Sequence, residues 1–492
     1  MRTLALLLVL AACNHDEVCT PESGALPSEG MYIDPNAMPL PETCIEGGLR
    51  DLPGRWFVVD STQYFRYEYP RYEGSCETGF RRKFAEDDDH DLNDDGHSYY
   101  QWSDGTRYFS RSEYHFGTTV YVRAYAACMT SSDELAAVYV AHDSGRDDRV
   151  FHAIGSRFAP KDELASGLTL VGELGLDLTG TPIDALNLVI DGSYAYMAAF
   201  TGFEIIDIAN PAAPRAVGHL DGAYNDVKVV NDGTHVVAFL SPRDSQELTS
   251  VVDATNPTAP TFVQYLAEYS HSVFLDGMSL YLATYNESVP KYDVTNPLTP
   301  VRLGMAIVPG DVSGVHDLFV SGTRIYANNT SQGLVAFDVT PDLATSTELG
   351  RDVKGYSHAS WAGTAGGRSV ILHGDEGMTR SPDGAAHLRI LDGDPASPTF
   401  MTLLAKYQTR PEVGIHNFEL HGDLAYIAYY QDGVRIVDLS NPAQPREVAH
   451  YNTWVEDTAF GGGFEGALGI RLVNGLIYVA DDLRGLLIFR EQ

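Results

Sequence analysis

VDLSNPAQP, from Val437 to Pro445, decides the fold because the chain repeats it. Near-copies stand at Ile206–Pro214 (IDIANPAAP), Val252–Pro260 (VDATNPTAP) and Tyr292–Pro300 (YDVTNPLTP). In each, an apolar run ends in Asp and the phrase NPxxP follows. Proline has no amide hydrogen to give to a ladder, so NPxxP lies between strands.

Working outward from Val437, the segment Ile415–His450 parses into four short strands: HNFEL, LAYIAYY, VRIVDL and REVAHY. The first turn is His421-Gly422-Asp423, the second Gln431-Asp432-Gly433, and the third is the NPxxP phrase. The Asp closing the third strand recurs at Asp207, Asp253, Asp293, Asp338, Asp392 and Asp438, and a seventh unit has Phe489 there. The spacing runs from 40 residues (Asp253 to Asp293) to 54 (Asp338 to Asp392). That suits a four-stranded supersecondary unit. The fourth unit replaces NPxxP with PDLATS, and the fifth has SVILHG in place of the Tyr-x-Ala second strand. The recurring Asp is expected to accept hydrogen bonds from the turn after it.

These features resemble the LVIVD-repeat family of β-propellers, over residues 166–492. The resemblance implies an all-β fold, a seven-bladed β-propeller with velcro closure, preceded by a small antiparallel β-domain. The seventh unit reaches Gln492 directly after its third strand, LLIFR. Leu168–Leu174 (LTLVGEL) reads as a fourth strand like RAVGHL, so it is expected beside Leu486–Phe489, which removes the open sheet edges.

The remaining chain has its own divisions. Residues 1–12 (MRTLALLLVLAA) are too short to span a bilayer. They run into Leu10-Ala11-Ala12-Cys13, which resembles a bacterial lipobox. That resemblance implies a lipoprotein signal peptide, lipidation of Cys13, and anchoring in the bacterial cell envelope, with the outer membrane or surface favoured by Asn14. Residues 13–50 are rich in Pro, Gly, Glu and Ser and read as a tether. Residues 51–165 alternate polar with apolar and aromatic residues, as in RYFSRSEYHF and VYVRAYAAC. They are expected to form a β-sandwich or barrel. Once Cys13 is set aside, Cys19, Cys44, Cys76 and Cys128 remain, enough for two disulfides with three possible pairings. A four-cysteine zinc site is disfavoured because no CxxC pair exists.

The chain has 492 residues, 33 basic against 67 acidic side chains and a formal charge of −34. That balance excludes a nucleic-acid partner and a basic membrane-binding face. No GxSxG, phosphate loop or HExxH occurs. Two constellations could hold a ligand. Counting ten residues back from the second-strand position gives His271, His316 and His416, with Asp226 in the second unit. A longer turn brings His358 to the same place in the fifth. All five are expected at the start of innermost strands, at the channel mouth and on the face of the long insertions Ser241–Leu248, Gly374–Ala386 and Thr453–Glu465. One reading is a transition-metal or anionic-ligand site. The other is a set of inter-blade hydrogen bonds, repeated because the blade is. The second constellation is Asp91, Asn93 and Asp95 in DDDHDLNDDGH. It follows the first half of a calcium loop, but Trp102 stands where the closing acid belongs, which leaves an irregular Ca2+ site or a solvated acidic loop. Three functions remain open: a monomeric binding scaffold for a protein or carbohydrate ligand, a metal-dependent enzyme or metal-binding protein, and a structural envelope protein.

Overall fold

The structure is a computed structural model. It describes residues 40, 42–48, 55–60, 66–69, 88–92, 97–103, 106–116, 119–131, 134–144, 149–158, 163–243, 247–286, 288–310, 312, 314–376, 387–410, 413–454 and 464–492. Residues 1–12, Cys13, Cys19, Cys76, Asn93, Asp95 and most of the expected tether lie outside the described residues. No described helix is long and apolar enough to cross a membrane. The chain divides into two compact units at Ala159/Pro160.

In the first unit the alternating segments pair into one eight-stranded antiparallel sheet. Six strands, from Asp88–Leu92 to Arg149–Phe158, follow one another across it. Arg55–Asp60 pairs with the last of these and carries Arg66–Tyr69 on its outer side. A single sheet replaces the expected sandwich or barrel. Short connections lay successive strands side by side, and the edge strands Arg66–Tyr69 and Asp88–Leu92 do not pair with each other among the described residues. Period-two alternation puts Ala124, Ala126, Val138 and Val140 on one face, where they bury with Phe109. A disulfide joins Cys44 to Cys128 with Cα atoms 5.5 Å apart, one of the three pairings left open. Asp91 lies in the strand Asp88–Leu92, opposite Ser98.

In the second unit each repeat forms one sheet, and seven such sheets are present among the described residues. The innermost strands are Ala185–Asp191, Tyr224–Asn231, Ser272–Asp276, Asp317–Ser321, Ser357–Ala365, Phe418–His421 and Ala467–Val473. Each packs on the next, and the last packs on the first, so the sheets form a ring: a β-propeller. Burial follows position. The second and third strands are buried along most of their length, as in Leu424–Ala428 and Val434–Asp438, because both faces are covered by neighbouring sheets, and even Arg435 is enclosed there. Fourth strands such as Thr261–Tyr265 face solvent. The apolar core is therefore split into seams between sheets. One joins first to last: Ala185, Leu188 and Met197 pack with Tyr478, Ala480 and Ile488.

Leu168–Leu174 lies antiparallel to Gly485–Glu491, with Leu170 opposite Phe489 and Leu174 opposite Leu486. Ala165–Ser166 adds a fifth strand to the sixth sheet, opposite Tyr451 and His450. The ring unit therefore begins before residue 166, ahead of the expected boundary.

The repeated phrase has two tasks. The strand-ending Asp accepts a hydrogen bond from the amide two residues on, as in Ser440 N to Asp438 Oδ1 at 2.8 Å and Ala209 N to Asp207 Oδ1 at 2.9 Å. The phrase also packs against the preceding sheet. A Cβ built on Gly172 would lie 2.0 Å from the Pro211 carbonyl oxygen, and one on Gly218 would lie 2.0 Å from that of Pro257. Only glycine lets the fourth strand of one sheet lie this close to the NPxxP turn of the next.

Candidate functional site

The hairpin registers fix which residue of each innermost strand faces the mouth. Leu188, Val227, Val273, Leu318, Ser360, Phe418 and Ile470 pair with equivalent second-strand positions. Two residues before them stand Leu186, Asn225, His271, His316, His358, His416 and Leu468. In four sheets this residue is skipped by the ladder as a bulge. The four histidines therefore share one structural position in four consecutive sheets.

Asp226 does not share it. The turn Asp232–His235 is two residues longer than its counterpart Gly277-Met278, and the bulge falls at Asn225. The count from Val236 therefore lands one residue late. The Asp226 carboxylate instead links three sheets. It accepts Asn187 Nδ2 at 2.7 Å, Val227 N at 2.7 Å, Lys228 Nζ at 2.9 Å and Val273 N at 3.0 Å. Asp317, one sheet further from Ser272, likewise accepts Ser272 Oγ at 2.6 Å and Leu318 N at 2.7 Å. This is the inter-blade hydrogen-bond network, and Asp226 belongs to it.

The imidazoles form a contiguous arc. Ring centroids are 3.8 Å apart for His271–His316, 4.7 Å for His316–His358 and 4.2 Å for His358–His416. His271 Nδ1 lies 2.9 Å from the His316 carbonyl oxygen, and His416 Nδ1 lies 2.9 Å from that of Leu468. A carbonyl only accepts, so these Nδ1 atoms carry the proton and their Nε2 atoms keep a lone pair. His358 is likewise turned toward the His416 backbone of the next sheet, and the His316 Nδ1 is buried with no hydrogen-bond partner among the described residues. Nothing among the described residues hydrogen-bonds any of the four Nε2 atoms.

Burial sets the protonation. It lowers the pKa of His271 to about 4 and of His358 and His416 to about 3. Burial and the neighbouring imidazoles hold His316 well below the usual histidine value. The arc is therefore neutral at physiological pH, as a metal ligand requires.

Sequence reasoning missed the groups around the arc. Glu376 is buried, and its Oε1 accepts the Tyr430 hydroxyl. Its Oε2 stands 3.9 Å from His358 Nε2. Donor atoms of His316, His358 and Glu376 all lie within 4.8 Å of one another. Burial raises the Glu376 pKa above the usual carboxylate range. Tyr430, held at φ 40°, and Tyr285 set their rings beside His416 and His271, at 5.3 and 5.6 Å. Arg243 donates to Asn225 Oδ1 at 3.2 Å. Glu376 and Arg243 each sit in a long insertion, which was the one sequence signal pointing to them. Residues 377–386 and 455–463 of the expected insertions lie outside the described residues.

Two other clusters resemble sites. Ser357 Oγ is 2.8 Å from His373 Nε2, and His373 Nδ1 is 3.0 Å from Asp352 Oδ2, the order of a nucleophilic triad. Ser357 and His373 are wholly buried and Arg389 pairs with Asp352, so no substrate reaches the hydroxyl. Donor atoms of Asp177, Glu204 and His219 also lie within 4.8 Å of one another. There both His219 nitrogens are engaged, by Glu204 Oε1 at 2.6 Å and Asp221 Oδ1 at 3.0 Å. Burial pulls the His219 pKa down, but Glu204 and Asp221 outweigh it and raise it.

Residues 184–222 and 416–453, the first and sixth sheets, match the LVIVD repeat. The chain carries LVIVD repeats. No curated protein matches it. Among solved structures, the computationally designed Ika8 protein is 10% identical, covering 65% of this chain and all of its own, with a TM-score of 0.43. The WD40 β-propeller domain of Doa1 is 11% identical, covering 66% of this chain and 98% of its own, with a TM-score of 0.46. BamB from Moraxella catarrhalis is 11% identical, covering 77% and 94%, with a TM-score of 0.36.

Proposed function

We propose that this protein is a metal-binding scaffold: a seven-bladed LVIVD-repeat propeller, closed by Leu168–Leu174 on the last blade, with a transition-metal site at the histidine mouth. The observation that carries the reading is the arc itself. Four neutral imidazoles touch one another with every Nε2 unused, and a buried carboxylate stands beside them. Side chains kept for architecture satisfy their polar atoms inside the fold, as Asp226 does. His316, His358 and Glu376 are the central donors, with His271 and His416 flanking them. Two imidazoles and a carboxylate suit iron, and additional imidazoles suit copper or zinc. The role is binding, and no catalytic step is assigned.

The placement we favour is the bacterial cell envelope. The lipobox-like run into Cys13 and the disulfide Cys44–Cys128 support an exported, lipid-anchored chain.

The test is metal analysis of protein purified without an affinity His-tag. About one equivalent of a transition metal is expected, retained through dialysis and lost from a His316→Ala/His358→Ala double variant. Metal neither carried nor taken up on titration, or held equally well by the double variant, overturns the reading.

A further inference from the structure

Acidic side chains outnumber basic ones by 67 to 33, and several arginines on this fold pair with carboxylates. Arg389 pairs with Asp352, Arg410 with Asp432, Arg435 with Glu447 and Arg484 with Glu173. Arg243 is different. Its guanidinium meets the neutral Asn225 Oδ1 at 3.2 Å and lies 4.5 Å from the centroid of the Phe200 ring, with no carboxylate in ion-pair range among the described residues.

Its position is fixed. Arg243 N donates to the Ala223 carbonyl at 2.8 Å. Asn225 is turned toward it because Asn225 Nδ2 donates to the Pro242 carbonyl at 3.3 Å. Asn225 occupies in the second sheet the place His271 occupies in the third. The guanidinium is therefore exposed and within electrostatic reach of His271 and His316. Glu376 lies beside His358. Arg243 lies within electrostatic reach of Glu376, so the guanidinium and the carboxyl belong to one mouth.

We propose that the mouth takes a small oxyanion, a carboxylate being the simplest, with one oxygen on the metal ion and the charged end on the Arg243 guanidinium. The geometry matches the chemistry. A guanidinium has a planar fork of donors suited to a carboxylate, and stacking on Phe200 leaves edge N–H groups free for it. A monoanion matches the single positive charge that the guanidinium offers. The inference rests on the metal reading above.

The test loads the full-length protein with Cu(II), titrates it with acetate and follows the copper d–d absorption. A saturable shift is expected in wild type. In Arg243→Gln, acetate affinity should fall at least tenfold with copper stoichiometry unchanged, and Arg243→Lys should recover part of it. Equal affinity in wild type and Arg243→Gln overturns the inference, as does copper-loaded protein that ignores acetate. Failure of the metal reading appears separately, as protein that retains no copper. Acetate is then titrated into the metal-free protein by calorimetry. Binding lost in Arg243→Gln upholds the anion site by itself, and no binding overturns it.

Discussion

The two ends of the ring both carry a residue that recurs from sheet to sheet, but the recurrence differs in kind. At the NPxxP end, each of the six aspartates accepts the backbone amide two residues on, at 2.8 to 3.2 Å. At the mouth end, the histidines touch one another while their Nε2 atoms bond nothing among the described residues, and the buried His316 Nδ1 likewise has no partner among them. Repetition by itself does not separate architecture from function. Whether the repeated polar atom is satisfied within its own fold does.

The contrast can be attacked at either end. The largest effect is expected where the phrase meets the neighbouring sheet. Gly218→Val drives side-chain carbon into the Pro257 carbonyl and should cost about 3 kcal/mol, read by denaturant unfolding. A loss under about 0.5 kcal/mol would mean the close approach does not stabilise the ring.

Next is the pH response of the mouth. His358 titrates near 3 when folded and near 6.5 when unfolded. Between those values the unfolded chain binds the additional proton, so the folded state loses stability as pH falls. His358→Gln removes that loss. Measured without metal, the stability difference between variant and wild type should move in the variant's favour by up to ~3 kcal/mol between pH 7 and pH 4. The aspartate end responds elsewhere. Backbone and side-chain hydrogen bonds from Ser440 lower the Asp438 pKa below 3.8, so its contribution is present above 3.8 and is lost as pH falls further. A shared pH window for the two ends would remove the distinction.

Asp438→Ala deletes a satisfied acceptor and should cost about 1 kcal/mol with metal content unchanged. The smallest effect is expected for His316→Gln without metal. It removes the unpartnered nitrogen while keeping most of the side-chain volume packed between His271 and His358, so stability should change by less than about 0.5 kcal/mol. A loss equal to that of Asp438→Ala would assign the histidines to the scaffold.

Much of this was legible in the sequence because the signals were local. NPxxP stops a strand whatever surrounds it, and the apolar runs around Tyr196 and Tyr426 mark strands covered on both faces. The pairing of Leu168–Leu174 with Gly485–Glu491 followed from counting strands. What escaped depended on geometry without a sequence period. The long turn at Asp232–His235 and the bulge at Asn225 moved the mouth position by one residue, so Asp226 was placed with the histidines instead of with Lys228. Glu376 and Arg243 each occur once, in insertions, where no repeat announces them. In the first unit, alternation identified strands but does not encode how many share a sheet, hence one sheet where two faces or a closed barrel were expected.

The pairing of Leu168–Leu174 with Gly485–Glu491 also orders events in time. Leu168–Leu174 is synthesised before the strands of the other sheets and its partner, Gly485–Glu491, after them. A chain emerging from a ribosome or threading through an export channel must carry that segment, uncovered, past six intervening sheets. Pairing of the early segment therefore waits on Gly485–Glu491, and holding it away from wrong neighbours becomes work for whatever receives the nascent chain.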